Sequence, residues 1–320
     1  MSYITASLRS LVGRLRDEDV DVRRAALTEI DDRIDAIPVE DLLPLLDDDD
    51  AAIRRLTLRT LAEIGEVAAI PAILDAAADA DPKVATAAGE ALREFRTRDA
   101  LDPLIAGVSH PAAVSRAAAV NALRDLRNFR AVAVLRRAAE DAASQVRSAA
   151  VLALAHFQDA ALLPAVRHGL YDEEVEVRRT AVTALSFFAS DLVAADLLRA
   201  LRDREWDVRR EAAAALPRIG TLEAIAALEK ALADEEWQVA RAALLSLVKM
   251  RAPVGRRVSR LIHHPHPQMR IAAALALVDI GGAEAKPALE ILAQDRDPGV
   301  YVAAWRALER MGVTAVAKAA

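Results

Sequence analysis

A short motif, an aliphatic residue followed by Arg, paired Ala and then Leu, returns along this chain almost every 31 residues. Its first position, the anchor, falls at Val22, Ile53, Val84, Ser115, Val146, Val177, Val208, Val239, Met269 and Val300. Eight of the nine intervals are 31 residues and one, Val239 to Met269, is 30. A unit this short cannot bury its apolar face alone, so neighbouring units must stack and share one continuous core. Ten units account for all 320 residues, and the expectation is a single array over 1–320.

Aromatic residues are 3% of the chain while apolar residues reach 54%, so the shared core is built from Ala, Leu, Val and Ile. Such side chains favour helix and let helix axes approach closely. The absence of Cys removes disulfides, thiolate catalysis and Cys-held metal from this chain. Charge interrupts every long apolar stretch and the N-terminus shows no signal-peptide pattern, so the expected setting is the cytoplasm, without a membrane. A net charge of -6 argues against a general grip on nucleic acid, which needs a basic face.

Repeat three displays the unit. Val67 to Asp79 carries apolar residues at helical spacing, with Pro71 in the first turn, and forms helix A. Asp81 then caps helix B, Pro82 occupies its first position, and the helix runs to about Arg96. Counted from the anchor, Val84, Ala87, Ala88, Ala91, Leu92 and Phe95 stand at 0, +3, +4, +7, +8 and +11, one side of a helix. Apolar residues at +5 (Leu27, Leu58, Val120, Val151, Val182, Leu244) are expected to pack between repeats. Gly65, Gly220, Gly281 and Gly312 are placed to end helices.

The segments Asp19-Val20-Asp21-Val22-Arg23-Arg24-Ala25-Ala26 and Trp206-Asp207-Val208-Arg209-Arg210-Glu211-Ala212-Ala213 resemble HEAT repeats of the short bacterial kind, the E-Z or PBS-lyase HEAT-like repeats. The resemblance covers essentially the whole chain. It implies an all-α, right-handed α-solenoid of about ten two-helix repeats, with the B helices lining a concave face. It also implies Asp–Arg ladders between repeats. The arginines are those at +1 or +2, Arg23, Arg54, Arg116, Arg178, Arg209 and Arg270 among them; the expected acids flank the helix starts, such as Asp19, Asp21, Asp50, Glu174, Glu176, Asp207, Glu235 and Glu236. The run Asp47 to Asp50 reads as a solvated turn.

Catalytic motifs are missing: there is no phosphate-cradling Gly-rich loop, no His-Glu-x-x-His and no Ser nucleophile elbow. No His-Glu dipeptide occurs, which excludes the di-iron site of the deoxyhypusine hydroxylases, an enzyme family built on similar repeats. The cluster His263-His264-Pro265-His266-Pro267 could bind Zn or Cu, yet adjacent imidazoles point apart and no carboxylate lies inside it; an exposed turn, with His110 its equivalent in repeat four, is the expected role. No catalytic residue, metal or cofactor is expected.

Binding is a different matter. Positions +2, +6 and +9 of helix B lie opposite its buried side. Repeat three places Thr86, Glu90 and Arg93 there, a solvated surface, whereas repeats eight and nine place Leu245, Val248, Ile271, Leu275 and Val278. A local apolar cluster on that face marks a site for a protein partner, unless the short repeat nine rotates its helix and buries it. Trp206 and Trp237, one repeat apart, should line one edge in a packing or interface role; their acidic flanks are wrong for a DNA backbone. The expected function is a non-enzymatic protein-binding scaffold. The alternatives are an accessory subunit of a bilin or tetrapyrrole lyase or of metallocluster assembly, and a HEAT-like nucleic-acid repair protein.

Overall fold

A computed structural model of the chain describes residues 10–30 and 37–313, and among the described residues every regular element is a helix. The chain divides into two compact units, Met1–Gly169 and Leu170–Ala320. The first unit contains the B helices α1 (Val20–Ile30), α2 (Ala51–Ile64), α3 (Pro82–Glu94), α4 (Ala113–Leu126) and α5 (Ser144–Ala155). The second contains α6 (Val175–Leu185), α7 (Trp206–Ala215), α8 (Trp237–Lys249), α9 (Pro267–Ile280) and α10 (Pro298–Arg310). Shorter A helices alternate with them, for example Ile70–Ala76, Leu101–Gly107, Leu222–Ala231 and Ala285–Leu292. The division at Gly169 falls inside repeat six, between its A helix Leu163–His168 and its B helix α6.

Local chemistry sets the helix limits. Asp50, Asp81 and Asp297 accept hydrogen bonds from the second and third backbone N–H groups of α2, α3 and α10, which no carbonyl inside the helix can reach. Pro82, Pro267 and Pro298 occupy first-turn positions where a missing N–H costs nothing. Gly65 closes α2 at φ 70°, a left-handed conformation that a Cβ disfavours. Helix A of repeat three differs from the sequence expectation: it opens as a tight 3₁₀ turn, Val67–Ala69, before the α-helix begins at Ile70.

The periodic stripe is the core. Val84, Ala88, Ala91, Leu92 and Phe95 are buried, as are the +5 residues Leu27, Leu58, Val120, Val151, Val182 and Leu244. Consecutive B helices within each unit pack on one another and on the A helices between them. Ser115 is the polar anchor, fully buried, and its hydroxyl donates to Leu74 O of the preceding repeat at 2.6 Å, so burial leaves no bond unmade.

A ladder of ion pairs joins the A-to-B turns within each unit. The Arg at +1 donates through Nε and Nη2 to both oxygens of an Asp five residues before the next anchor: Arg23–Asp48, Arg54–Asp79, Arg116–Asp141, Arg178–Asp203, Arg209–Asp234 and Arg270–Asp295, at 2.7–3.1 Å. Each of these guanidinium groups also donates through Nη1 to two carbonyls of its own turn, as Arg209 does to Asp203 O and Arg204 O. Of the acids named from the sequence, Asp50 joins two repeats through Arg24 at 3.2 Å besides capping α2, and Glu235 stands 3.9 Å from Arg209, but the bidentate partners are the aspartates five residues before each anchor. Glu176 and Asp207 instead pair with Arg179 and Arg210 on their own helices. Asp48 is likewise no solvated turn residue, since its side chain is 7% exposed and bound to Arg23.

The ladder is interrupted where both partners change together. Ala85 and His110 stand where repeats three and four would carry Arg and Asp, and Ala240 and His264 do so between repeats eight and nine. The imidazoles keep half of the aspartate's role. Nδ1 of His110 accepts from Ala112 N at 3.1 Å and Nδ1 of His264 from His266 N at 3.0 Å, as Asp Oδ1 does elsewhere from the residue two positions on.

Candidate functional site

The interval between Ala240 and His264 is 24 residues, whereas each ladder pair is 25 apart, so the residue missing from repeat nine lies before His264, outside the B helix. Helix α9 keeps its rotation as a result. Its anchor Met269 is fully buried and Leu275, six positions on, is 42% exposed. Leu245 occupies the same position of α8 and is 41% exposed. Burial by the short repeat, the alternative raised by the sequence, does not occur at these two leucines.

The other three expected residues are half-buried. For Ile271 the cause is visible: its Cδ1 would lie 3.3 Å from a Cβ added at Gly299, so it fits against the first turn of α10 where that residue has no side chain. Val248 and Val278, at +9, are also partly covered. The apolar face also continues further than the sequence reading took it, because Val302 of α10 is 43% exposed. Val302 stands at +2 and was legible by extending the same count one repeat.

The tryptophans serve separate contacts. Trp206 is half-buried with the Arg210 guanidinium 5.7 Å from its ring centroid, a cation–π pair one helical turn apart. Trp237 is half-buried and stacks on His266, with centroids 4.2 Å apart and planes at 12°. Trp237 and Leu245 meet in one cavity of ≈ 420 Å³ between α7 and α8, which Arg210, Pro217, Arg241 and Lys249 also line. Glu211, at the same cavity, accepts a hydrogen bond from Thr183.

The histidine cluster does not converge. Nδ1 of His264 and Nδ1 of His266 each accept a backbone N–H, from His266 and Gln268, and the His266 ring lies against Trp237. Burial lowers the His264 pKa, which keeps the imidazole neutral and its Nδ1 available as an acceptor. Among the described residues no group of three or more His, Cys, Asp or Glu is placed to hold a metal ion. The face as a whole offers apolar side chains and guanidinium groups, chemistry that suits contact with a partner.

Family comparison agrees with the repeat geometry. The model of HEAT repeats matches residues 8–93, 70–155, 137–207, 194–258 and 254–320, nearly the whole chain. The chain is a HEAT-repeat protein. No curated protein matches it in sequence. Among solved structures this HEAT protein is similar to importin beta, at 14% identity and TM-score 0.62 over 95% of this chain and 50% of that one. It is also similar to Kap95p, in a structure concerned with Kap95p binding to RanGDP, at 15% identity and TM-score 0.60 over 95% of this chain and 48% of that one. The E. coli protein YibA is similar at 15% identity and TM-score 0.50, over 93% and 99% of the two chains. These likenesses are of fold, an all-helical α-solenoid, and this chain spans about half the length of importin beta and of Kap95p. No described helix is long and apolar enough to cross a membrane.

Proposed function

We propose that this HEAT-repeat protein is a non-enzymatic scaffold that binds a protein partner on the B-helix face of repeats eight to ten. One observation carries the reading. Leu245 and Leu275 occupy equivalent positions on neighbouring helices and both are about two-fifths exposed, with Val302 of α10 on the next helix. Exposed leucines in register are what an interface core needs and what solubility alone disfavours. Leu245, Leu275 and Trp237 supply the contact, Val248, Ile271 and Val278 form its floor, and Trp206 with Arg210 bounds it. The 31-residue repeat and its Val-Arg-Arg starts support placement among the short E-Z repeats.

The test is a photo-crosslinking amino acid at Leu275 in the native host, compared with the same group at Leu222, which is 85% exposed on the A helix Leu222–Ala231. A discrete protein adduct at 275 and none at 222 is expected. Equal adducts at both positions, or none at either, contradict the reading.

A further inference from the structure

On this binding face, we infer that the occupant is an acidic amphipathic segment of another protein, a stretch whose apolar side chains are flanked on both sides by carboxylates. The inference rests on the proposed face and adds the chemistry of its partner.

Charge makes the case. The chain as a whole is acidic, at -6, yet the face is cationic. On α8 one stripe runs Trp237, Arg241, Leu245, Lys249, each a helical turn from the next, so cations stand about 6 Å to either side of Leu245. The equivalent stripe on α9 is Ile271, Leu275 and Asp279, and on α10 it is Val302, Arg306 and Arg310. Asp279, the acid of the middle stripe, is paired with Arg310 at 3.3 Å. Arg241, Lys249 and Arg306 are exposed and form no ion pair among the described residues. Glu309 is the acid at +9 of α10, so the net cationic rim is that of α8, Arg241 and Lys249, and across the apolar strip α10 offers Arg306, its single unpaired cation among the described residues.

Size and polarity select among occupants. Two interhelical steps from α8 to α10 span about 20 Å, which a helix of about 14 residues covers. Its leucine-type side chains would cover Leu245, Leu275 and Val302 while carboxylates reach Arg241, Lys249 and Arg306. A nucleic-acid backbone offers charge to the cations and nothing apolar to the strip, so it leaves the leucines wet.

The experiment uses the full chain and fluorescence anisotropy with labelled synthetic peptides of about 14 residues. One alternates Glu and Leu on helical faces, a second replaces Glu by Lys, and a third replaces Leu by Ser. Oligothymidylate of similar charge and vesicles of phosphatidylglycerol complete the set. The Glu/Leu peptide is expected to bind at least about tenfold more tightly than every other probe. Arg241→Glu with Lys249→Glu should weaken it by a similar factor, and Leu275→Asp should do so independently. Equal binding of the Lys/Leu peptide, preference for the oligonucleotide or the vesicle, or indifference to the double charge reversal overturns the inference. An adduct at Leu275 that survives the charge reversal would leave the binding face standing and remove the acidic partner.

Discussion

Arg209 and Asp234 face each other across two parallel hydrogen bonds, Nε to Oδ2 and Nη2 to Oδ1, both 2.9 Å, with the two side chains 11% and 13% exposed. The same guanidinium ties down two carbonyls of its own turn, so one side chain fixes the spacing of two repeats. Removing Asp234 leaves a buried guanidinium whose Nε and Nη2 donors lose their acceptors, and it also opens the backbone N–H of Glu236. Asp234→Ala should therefore destabilise the chain by about 3 kcal/mol, read from chemical denaturation. Arg209→Ala combined with Asp234→His, the exchange the chain itself makes at Ala240 and His264, should cost less than the sum of its two single changes. Additive losses would show that the paired exchange is not compensatory.

Acid should loosen the array in two stages. Arg54 and Arg116 hold Asp79 and Asp141 below the ordinary aspartate value of 3.8, as Arg270 holds Asp295. A carboxylate whose pKa is depressed by folding stabilises fully above the unfolded value, and that contribution disappears as pH falls below it. His264 is depressed from 6.5 by burial, so the unfolded chain takes up its proton first and stability declines earlier, as pH drops through 6.5. Thermal melts from pH 8 to 2, spanning the ordinary values of 6.5 and 3.8, should show a shallow loss followed by a steep one. Ala240→Arg with His264→Asp should abolish the shallow loss, and a profile unchanged in that variant would contradict the assignment.

Ala212 and Ala243 sit at +4 of their helices and are fully buried. Leucine at either site has a neighbouring helix in its way, so each change should cost about 1–3 kcal/mol by overpacking. An unchanged denaturation midpoint would mean that the register of α7 or α8 is misread.

The repeat, the two-helix unit and the buried stripe were legible because each unit solves the same packing problem at the same positions, down to the fully buried Met269 of the short repeat. The ladder was legible in kind, but in partner only at its weaker contacts, such as Arg24 with Asp50. Arg209 bonds to an acid 25 residues on, in the next repeat's turn, and a reading that sought acids beside each helix start passed over Asp234. Exposure on the proposed binding face resisted sequence reasoning for a similar reason. A helical wheel gives Ile271 and Leu275 the same outward standing, but the absent side chain of Gly299, on another helix, lets Ile271 settle inward and leaves Leu275 out.

The central claim is that Leu245 and Leu275 form one protein-binding surface. A photo-crosslinker at Leu245, in the wild-type and Leu275→Asp backgrounds, tests it most directly alongside circular dichroism of both. Leu275 is exposed, so the aspartate should change stability by no more than about 0.5 kcal/mol. The account predicts that the variant melts as the wild type does and that the protein adduct at position 245 disappears, because a charge must be desolvated against an apolar contact. A folded variant that retains the adduct, or one that unfolds outright, would contradict it.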